Sequence, residues 1–290
     1  AVARKVAGEG IVLLKNDRSF LPLDPNKDIT IAVIGENAIR EMTVGGGSSE
    51  LKARNEISPL QGISERFTRA KVIHSLGYAS GPPAYGRELP STLDADSLKK
   101  AAVEVAAGAD IVFYFGGLNK NHGQDCEGGD RKSMALPFGQ DQLISKLARA
   151  NKNIAVIMIS GNAVEMPWLP KVKSLVQAWY LGSEAGHAIA DVLSGDVNPS
   201  GKLPFSFPVK LEDNAAHHFG ELSYPGDGTD QYYKEDVLVG YRWHDTQKVK
   251  PLFAFGYGKS YTSFKLSGIK TDKKSYKPGE QINISCTVSN

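Results

Sequence analysis

The sequence has little cysteine, no long apolar run and no charge of one sign gathered in one place. Its two cysteines, Cys126 and Cys286, lie in unrelated contexts, and no CxxC pair occurs among the 290 residues. That excludes a disulfide framework and argues against a structural zinc site. The longest apolar runs are about eight residues, too short to cross a bilayer as a helix, so no membrane partner is expected. Lysine and arginine are spread along a chain of net charge +2. Without a basic block or a basic patch interleaved with aromatics, nucleic acid is not expected as a partner. No GxSxG is present, which leaves a serine-hydrolase reading without its nucleophile.

What is present fits a globular protein. The chain is 41% hydrophobic and 23% charged, an ordinary composition for burying a sizeable core. Five strand-length runs recur: ITIAVIG (29–35), the weaker KVIHSLG (71–77), DIVFYFGG (110–117), IAVIMISG (154–161) and SLVQAWYLG (174–182). They are apolar on both alternating faces, as strands of a parallel sheet covered on both sides are. Helical spacing appears at 94–109, 139–151 and 183–195, with Asp94 as a capping residue and Gly195 as a stop. The rhythm predicts an α/β fold with a mostly parallel, doubly wound sheet. AVARKVAGEGIVLLKN reads as a helix already under way, and INISCTVSN stops inside a strand-like run. Both ends look cut, so the chain reads as part of something longer. After residue 200 the pattern turns aromatic and turn-rich, and from 263 it alternates like the first strands of a β-sandwich.

Chemistry concentrates in one place. NKNHGQDCEGGDRKSMALP (119–137) follows a buried-strand run and gathers His122, Asp125, Glu127, Asp130 and Arg131 around two glycines. In an open α/β sheet, ligands bind beyond the carboxyl ends of the strands. A carboxyl on such a loop reaches over the crevice, and partial burial there raises its pKa toward that of a general acid. Asp130 and Arg131 would pair and pin the loop, leaving Glu127 free. A solvated polar loop with no task is the competing reading. Asp125, Glu127 and Asp130 lack the spacing of a calcium loop, so no metal is assigned. No cofactor is assigned either.

TVGGGSSE (43–50) is a second candidate. It is neither GxxxxGK[ST] nor GxGxxG, so a nucleotide site is weakly supported, whereas glycines with a hydroxyl suit a sugar. His187 reads as a packed or surface residue, and the adjacent His217 and His218 point different ways. Negative neighbours work against a reactive Cys126 thiolate. Trp179 and Tyr180 read as core aromatics.

Taken in order, EGIVLLKN…LPL, IAVIGENA, GGGSS, IVFYFGGLN…EGGDRKSMALP, SGNAVEMPW, LVQAWYLGSEAGHAIADVLSGDVNPSGKLPFSFP, VGYRWHD and LFAFGYGKSYTSF resemble the second domain of glycoside hydrolase family 3, β-glucosidase type. The resemblance covers nearly the whole chain. It implies an N-terminal (β/α)8 barrel bearing the nucleophilic aspartate, an α/β sandwich bearing the acid/base glutamate, and often a fibronectin type III-like domain third. On this sequence the acid/base falls on Glu127, a sugar contact on Ser48, and supporting roles on Asp130 and Arg131. Glu9, Glu165 and Glu184 are structural. The implied boundaries are 1–28 for a lead-in linker and helix, 29–210 for the sandwich, 211–262 for a connecting segment packed on it, and 263–290 for an incomplete fibronectin type III-like domain. The implied partners are that barrel, in the same protein or a companion chain, and a β-linked oligosaccharide or glucoside. Relatives of this kind are often secreted or periplasmic. A non-catalytic α/β module binding carbohydrate or nucleotide at the glycine run is the alternative.

Overall fold

A computed structural model describes residues 1–42, 45–82, 87–129 and 131–290. The chain divides into two compact units, Ala1–Lys259 and Ser260–Asn290.

The first unit is built on a six-stranded sheet. Its strands are β1 (Val12–Asn16), β2 (Thr30–Ile34), β3 (Lys71–Ser75), β4 (Ile111–Gly117), β5 (Ile154–Ile159) and β6 (Ser174–Gln177), in the spatial order β1-β6-β5-β4-β2-β3. β2 to β6 are parallel to their neighbours, and β1 runs antiparallel to β6 at the edge. Every residue of β5 is buried, as is nearly every residue of β2 and β4. This is what runs apolar on both faces require.

Helices α1 (Val2–Gly10), α2 (Pro59–Arg66) and α5 (Ala185–Ser194) pack together, and α3 (Ala95–Ala107) packs with α4 (Gln140–Ala150). Right-handed crossovers put α2 on one face and α3 and α4 on the other. The chain moves outward from β2 to β3 and then back across β2 to β4 and β5, so the helices of the two directions cover opposite faces. Ser58 caps α2 and Asp94 caps α3, each accepting a backbone N–H three residues on. Between the layers sit the fully buried Trp168, Tyr114, Phe113 and Phe115. Each such side chain contributes about 1.5–3 kcal/mol by leaving water.

The sequence reading carries the first helix through IVLLKN, whereas the helix ends at Gly10 and Val12–Asn16 is a strand. Val12, Leu13 and Leu14 are fully buried. A short apolar run fits a buried helix or a buried strand equally, and here the free edge of β6 decides. A second difference lies at YRWHDTQ, which forms helix α7 (Tyr241–Gln247), preceded by the short α6 (Ala215–His218).

The order β3-β2-β4-β5 places a topological switch point between β2 and β4, where the chain leaves in opposite directions and a crevice opens. The loop after β2 carries the glycine run, and the loop after β4 carries Glu127. The end of β4 is fixed by Gln140, whose buried amide accepts from the Tyr114 hydroxyl (2.9 Å) and Gly117 N–H (2.9 Å) and donates to Gly117 O (2.8 Å).

The second unit contains an antiparallel pair, β7 (Lys265–Thr271) and β8 (Ile284–Ser289), with Leu266 opposite Val288.

Candidate active site

The two loops that leave the switch point are stitched together along their backbones. Gly46 and Cys126 form a parallel bridge. The Gly46 N–H donates to Asp125 O at 2.9 Å, and the Glu127 N–H donates to Gly46 O at 3.3 Å. Lys120 Nζ adds an ion pair to Glu50 at 2.6 Å. Glycine is needed at two positions here. A Cβ on Gly46 would fall 2.1 Å from Lys120 O, and Gly47 has φ +90 with its Cβ position 2.4 Å from that of Glu127. The purpose of the glycine run is close approach to the second loop. Its amides do not form an open phosphate cradle, because Gly46 and Ser48 already donate to that loop.

The Glu127 side chain is exposed at the tip. Its Oε2 accepts the Ser48 N–H at 2.8 Å and also the Ser48 hydroxyl. These two bonds, the hydroxyl first, hold the Glu127 carboxyl below its ordinary pKa. The sequence argument expects burial to raise that pKa. Within this chain nothing buries the group, and donors to the charged form dominate.

Beside Glu127 lies a cavity of about 810 Å³. One wall comes from the Glu127 loop with Ser48 and Arg131, and another from Gly161, Asn162 and Tyr180 at the ends of β5 and β6. Segment 205–224 supplies the far side through Phe205, Leu211, His217 and Tyr224. The His217 ring sits 4.9 Å from Tyr224, and its buried Nδ1 has no partner among the described residues.

Of the residues singled out in the sequence, Glu127 and Ser48 meet directly. Arg131 donates to Ala163 O at 2.9 Å. Burial lowers its pKa, with Asp125 and Tyr180 opposing. Asp130 lies outside the described residues. Asp125 also ties down the loop through its side chain; sequence reasoning weighed it as a metal ligand and as a negative neighbour of Cys126. Its carboxylate accepts from Gly161 N–H, Asn162 Nδ2 and the Tyr180 hydroxyl. Tyr180, read as a core aromatic, is therefore a half-buried cavity residue, while Trp179 does pack on Phe205 and Phe207. A signal was available for Asp125, which stands two residues before Glu127. None was available for His217, which reaches the cavity from a segment far along the chain. No cluster of three or more metal-ligating side chains occurs among the described residues, and both cysteines are free.

A carboxylate thus stands on a loop at the switch point of a doubly wound sheet, bonded to a serine hydroxyl and open to a cavity, in an α/β domain. Residues 11–261 match the glycosyl hydrolase family 3 C-terminal domain, and the chain belongs to that family. It is 54% identical over 294 residues to "Beta-glucosidase BoGH3A" of Bacteroides ovatus, with 99% of this chain and 39% of the relative covered. It is 40% identical to "Thermostable beta-glucosidase B" of Acetivibrio thermocellus, covering 100% of this chain and 36% of the relative. Among solved structures, DesR, a beta-glucosidase from Streptomyces venezuelae in complex with D-glucose, superposes with TM-score 0.86 at 29% identity. That likeness covers 98% of this chain and 47% of the other. The chain thus spans less than half the length of each of these proteins.

Proposed function

We propose that this chain carries the acid/base half of a retaining, exo-acting β-glycosidase of the β-glucosidase type. In this account Glu127 is the proton donor and, later, the base. The nucleophilic aspartate comes from a (β/α)8 barrel domain, and no such barrel occurs among the described residues. The substrate is a terminal, non-reducing β-linked sugar. The observation that carries the proposal is the placement of Glu127, exposed at the switch point, bonded to Ser48 and open to the cavity.

The chemistry follows from charge. Glu127 must first be protonated to give its proton to the leaving oxygen. Within this chain Ser48 favours the carboxylate, so the acid form requires a neighbouring negative charge or burial. An anionic aspartate roughly 5–5.5 Å away supplies that charge. Once the aspartate is esterified by the sugar its charge is gone, the Glu127 pKa falls, and the Ser48-bonded carboxylate is the form that deprotonates water. Ser48 additionally contacts the sugar when substrate is bound. Arg131 holds the loop through Ala163, with Asp130 in the same supporting task. In this account residues 263–290 belong to a fibronectin type III-like domain.

The test is Glu127→Ala in the full-length enzyme. The value of kcat/KM is expected to fall by about 10²–10⁴-fold for substrates with poor leaving groups and much less for activated aryl glycosides, whose kcat falls instead through loss of the base. Wild-type turnover on both would refute the assignment.

A further inference from the structure

Among the described residues, Asp125 draws together several parts of the site. Its Oδ2 accepts the Gly161 N–H at 2.6 Å and the Tyr180 hydroxyl at 2.8 Å, and its Oδ1 accepts Asn162 Nδ2 at 2.8 Å. Its backbone oxygen accepts the Gly46 N–H at 2.9 Å. Gly161 and Asn162 stand just past the end of β5, Tyr180 just past β6, and Gly46 on the loop after β2. One residue therefore joins the loop after β4 to the loop after β2 and to the ends of β5 and β6. Only Cys126 separates it from Glu127.

All three side-chain partners are donors, and a carboxylate is the acceptor-only group that matches them. Bonds to a charged acceptor are also the stronger kind. Burial first, and then the charge of Asp125, push the Tyr180 phenol far above its ordinary pKa, so it remains a donor at any working pH. The backbone before it is arranged for the purpose. Trp179 has φ +53, which a non-glycine residue adopts only when its surroundings insist. Its ring is held edge-on against Phe205 at 6.0 Å and Phe207 at 6.2 Å.

We propose that Asp125 is the positioning residue for Glu127, locking the loop to the ends of β5 and β6 so that the carboxyl meets the glycosidic oxygen, a role that presupposes Glu127 as the proton donor. Replacing it with an isosteric amide turns an NH2 group toward at least one donor. The loop then loosens, and Glu127 spends less time where proton transfer occurs. Misplacement by about 1 Å costs on the order of 10²-fold in rate.

The experiment compares Asp125→Asn, Tyr180→Phe and Glu127→Ala in the full-length enzyme on aryl β-glucosides of graded leaving-group pKa. For Asp125→Asn, kcat/KM on the poorest leaving groups is expected to fall about 10–100-fold, while kcat/KM on activated substrates falls much less. Tyr180→Phe is expected to show the same steepened dependence at about 3–10-fold. A purely structural role would lower kcat/KM by one factor for every substrate, as a reduced active fraction does. If both variants show such a uniform loss, or none, while Glu127→Ala keeps its steep dependence, the positioning role is wrong and the proton donor stands. If Glu127→Ala itself shows no dependence, the proton-donor assignment fails instead. Should Asp125→Asn not fold, the slope for Tyr180→Phe decides alone.

Discussion

Ser48 donates twice to one oxygen of Glu127, through its backbone N–H at 2.8 Å and through its hydroxyl. The residue expected to grip a sugar is thus also the residue that sets the protonation of the carboxyl beside it. Loop and partner loop are in register for this because Gly46 bridges Cys126.

The pH dependence follows with a definite sign. Activity that needs protonated Glu127 is lost as pH rises through its pKa, and the Ser48 bonds lower that pKa. Ser48→Ala removes the stronger of the two, the hydroxyl bond. The alkaline limb of kcat/KM in the full-length enzyme is therefore expected to move to higher pH, with a raised KM from the lost sugar contact. An alkaline limb that stays put or moves down would contradict this.

Gly47 tests the fit between the loops. Its φ of +90 and the 2.4 Å between its Cβ position and that of Glu127 leave no room for a side chain. Gly47→Ala adds local strain of about 1–2 kcal/mol and pushes Glu127 aside. A kcat loss of about 10–100-fold is expected, with the melting temperature lowered by only a few degrees. The two are separated by measuring kinetics and thermal unfolding on the same preparation.

Outside the cavity lining, His187 on α5 is clamped between Glu184 (Nδ1, 2.7 Å) and Glu65 of α2 (Nε2, 2.7 Å). Burial pulls the His187 pKa down, but the bonds to the two glutamates outweigh it and the net shift is upward from 6.5, with Arg4 opposing. A raised folded pKa stabilises fully below the unfolded value and is lost as pH rises through the folded one. Glu65 is lowered, chiefly by His187, and its contribution disappears as pH falls through its folded value. The melting-temperature gap between wild type and His187→Ala is therefore expected to be widest near pH 5–6 and to narrow by pH 8. A gap that widens with pH would contradict the clamp.

Much of this site was legible in the sequence, and the failures have physical causes. The buried strands announced themselves because a sheet covered on both faces needs apolar residues at every position, as in β4 and β5. The two loops stood out as carboxyls and hydroxyls among glycines after strand-like runs, and the family resemblance pointed to Glu127 and Ser48 within them. β1 did not stand out, because Val12 pairs with Gln177, a partner far along the chain that no local pattern reveals. Tyr180 passed for a core aromatic because its ring is mostly buried, and only its hydroxyl reaches Asp125. Asp125 itself was visible as one more acid in a charged loop. Its task depends on donors from two other strand ends, which only the folded sheet brings together.

The central claim is that the side chain at 127 gives and takes the proton and does not bond the sugar. It is tested most directly by turning over an activated aryl β-glucoside with full-length Glu127→Ala in sodium azide and identifying the product. If the glutamate is the acid/base, azide attacks the glycosyl-enzyme from the face that water would have used. The rate is then restored and the product is the β-glycosyl azide. Recovery of the α-glycosyl azide would make Glu127 the nucleophile, and an unchanged rate without azide would remove it from the chemistry altogether.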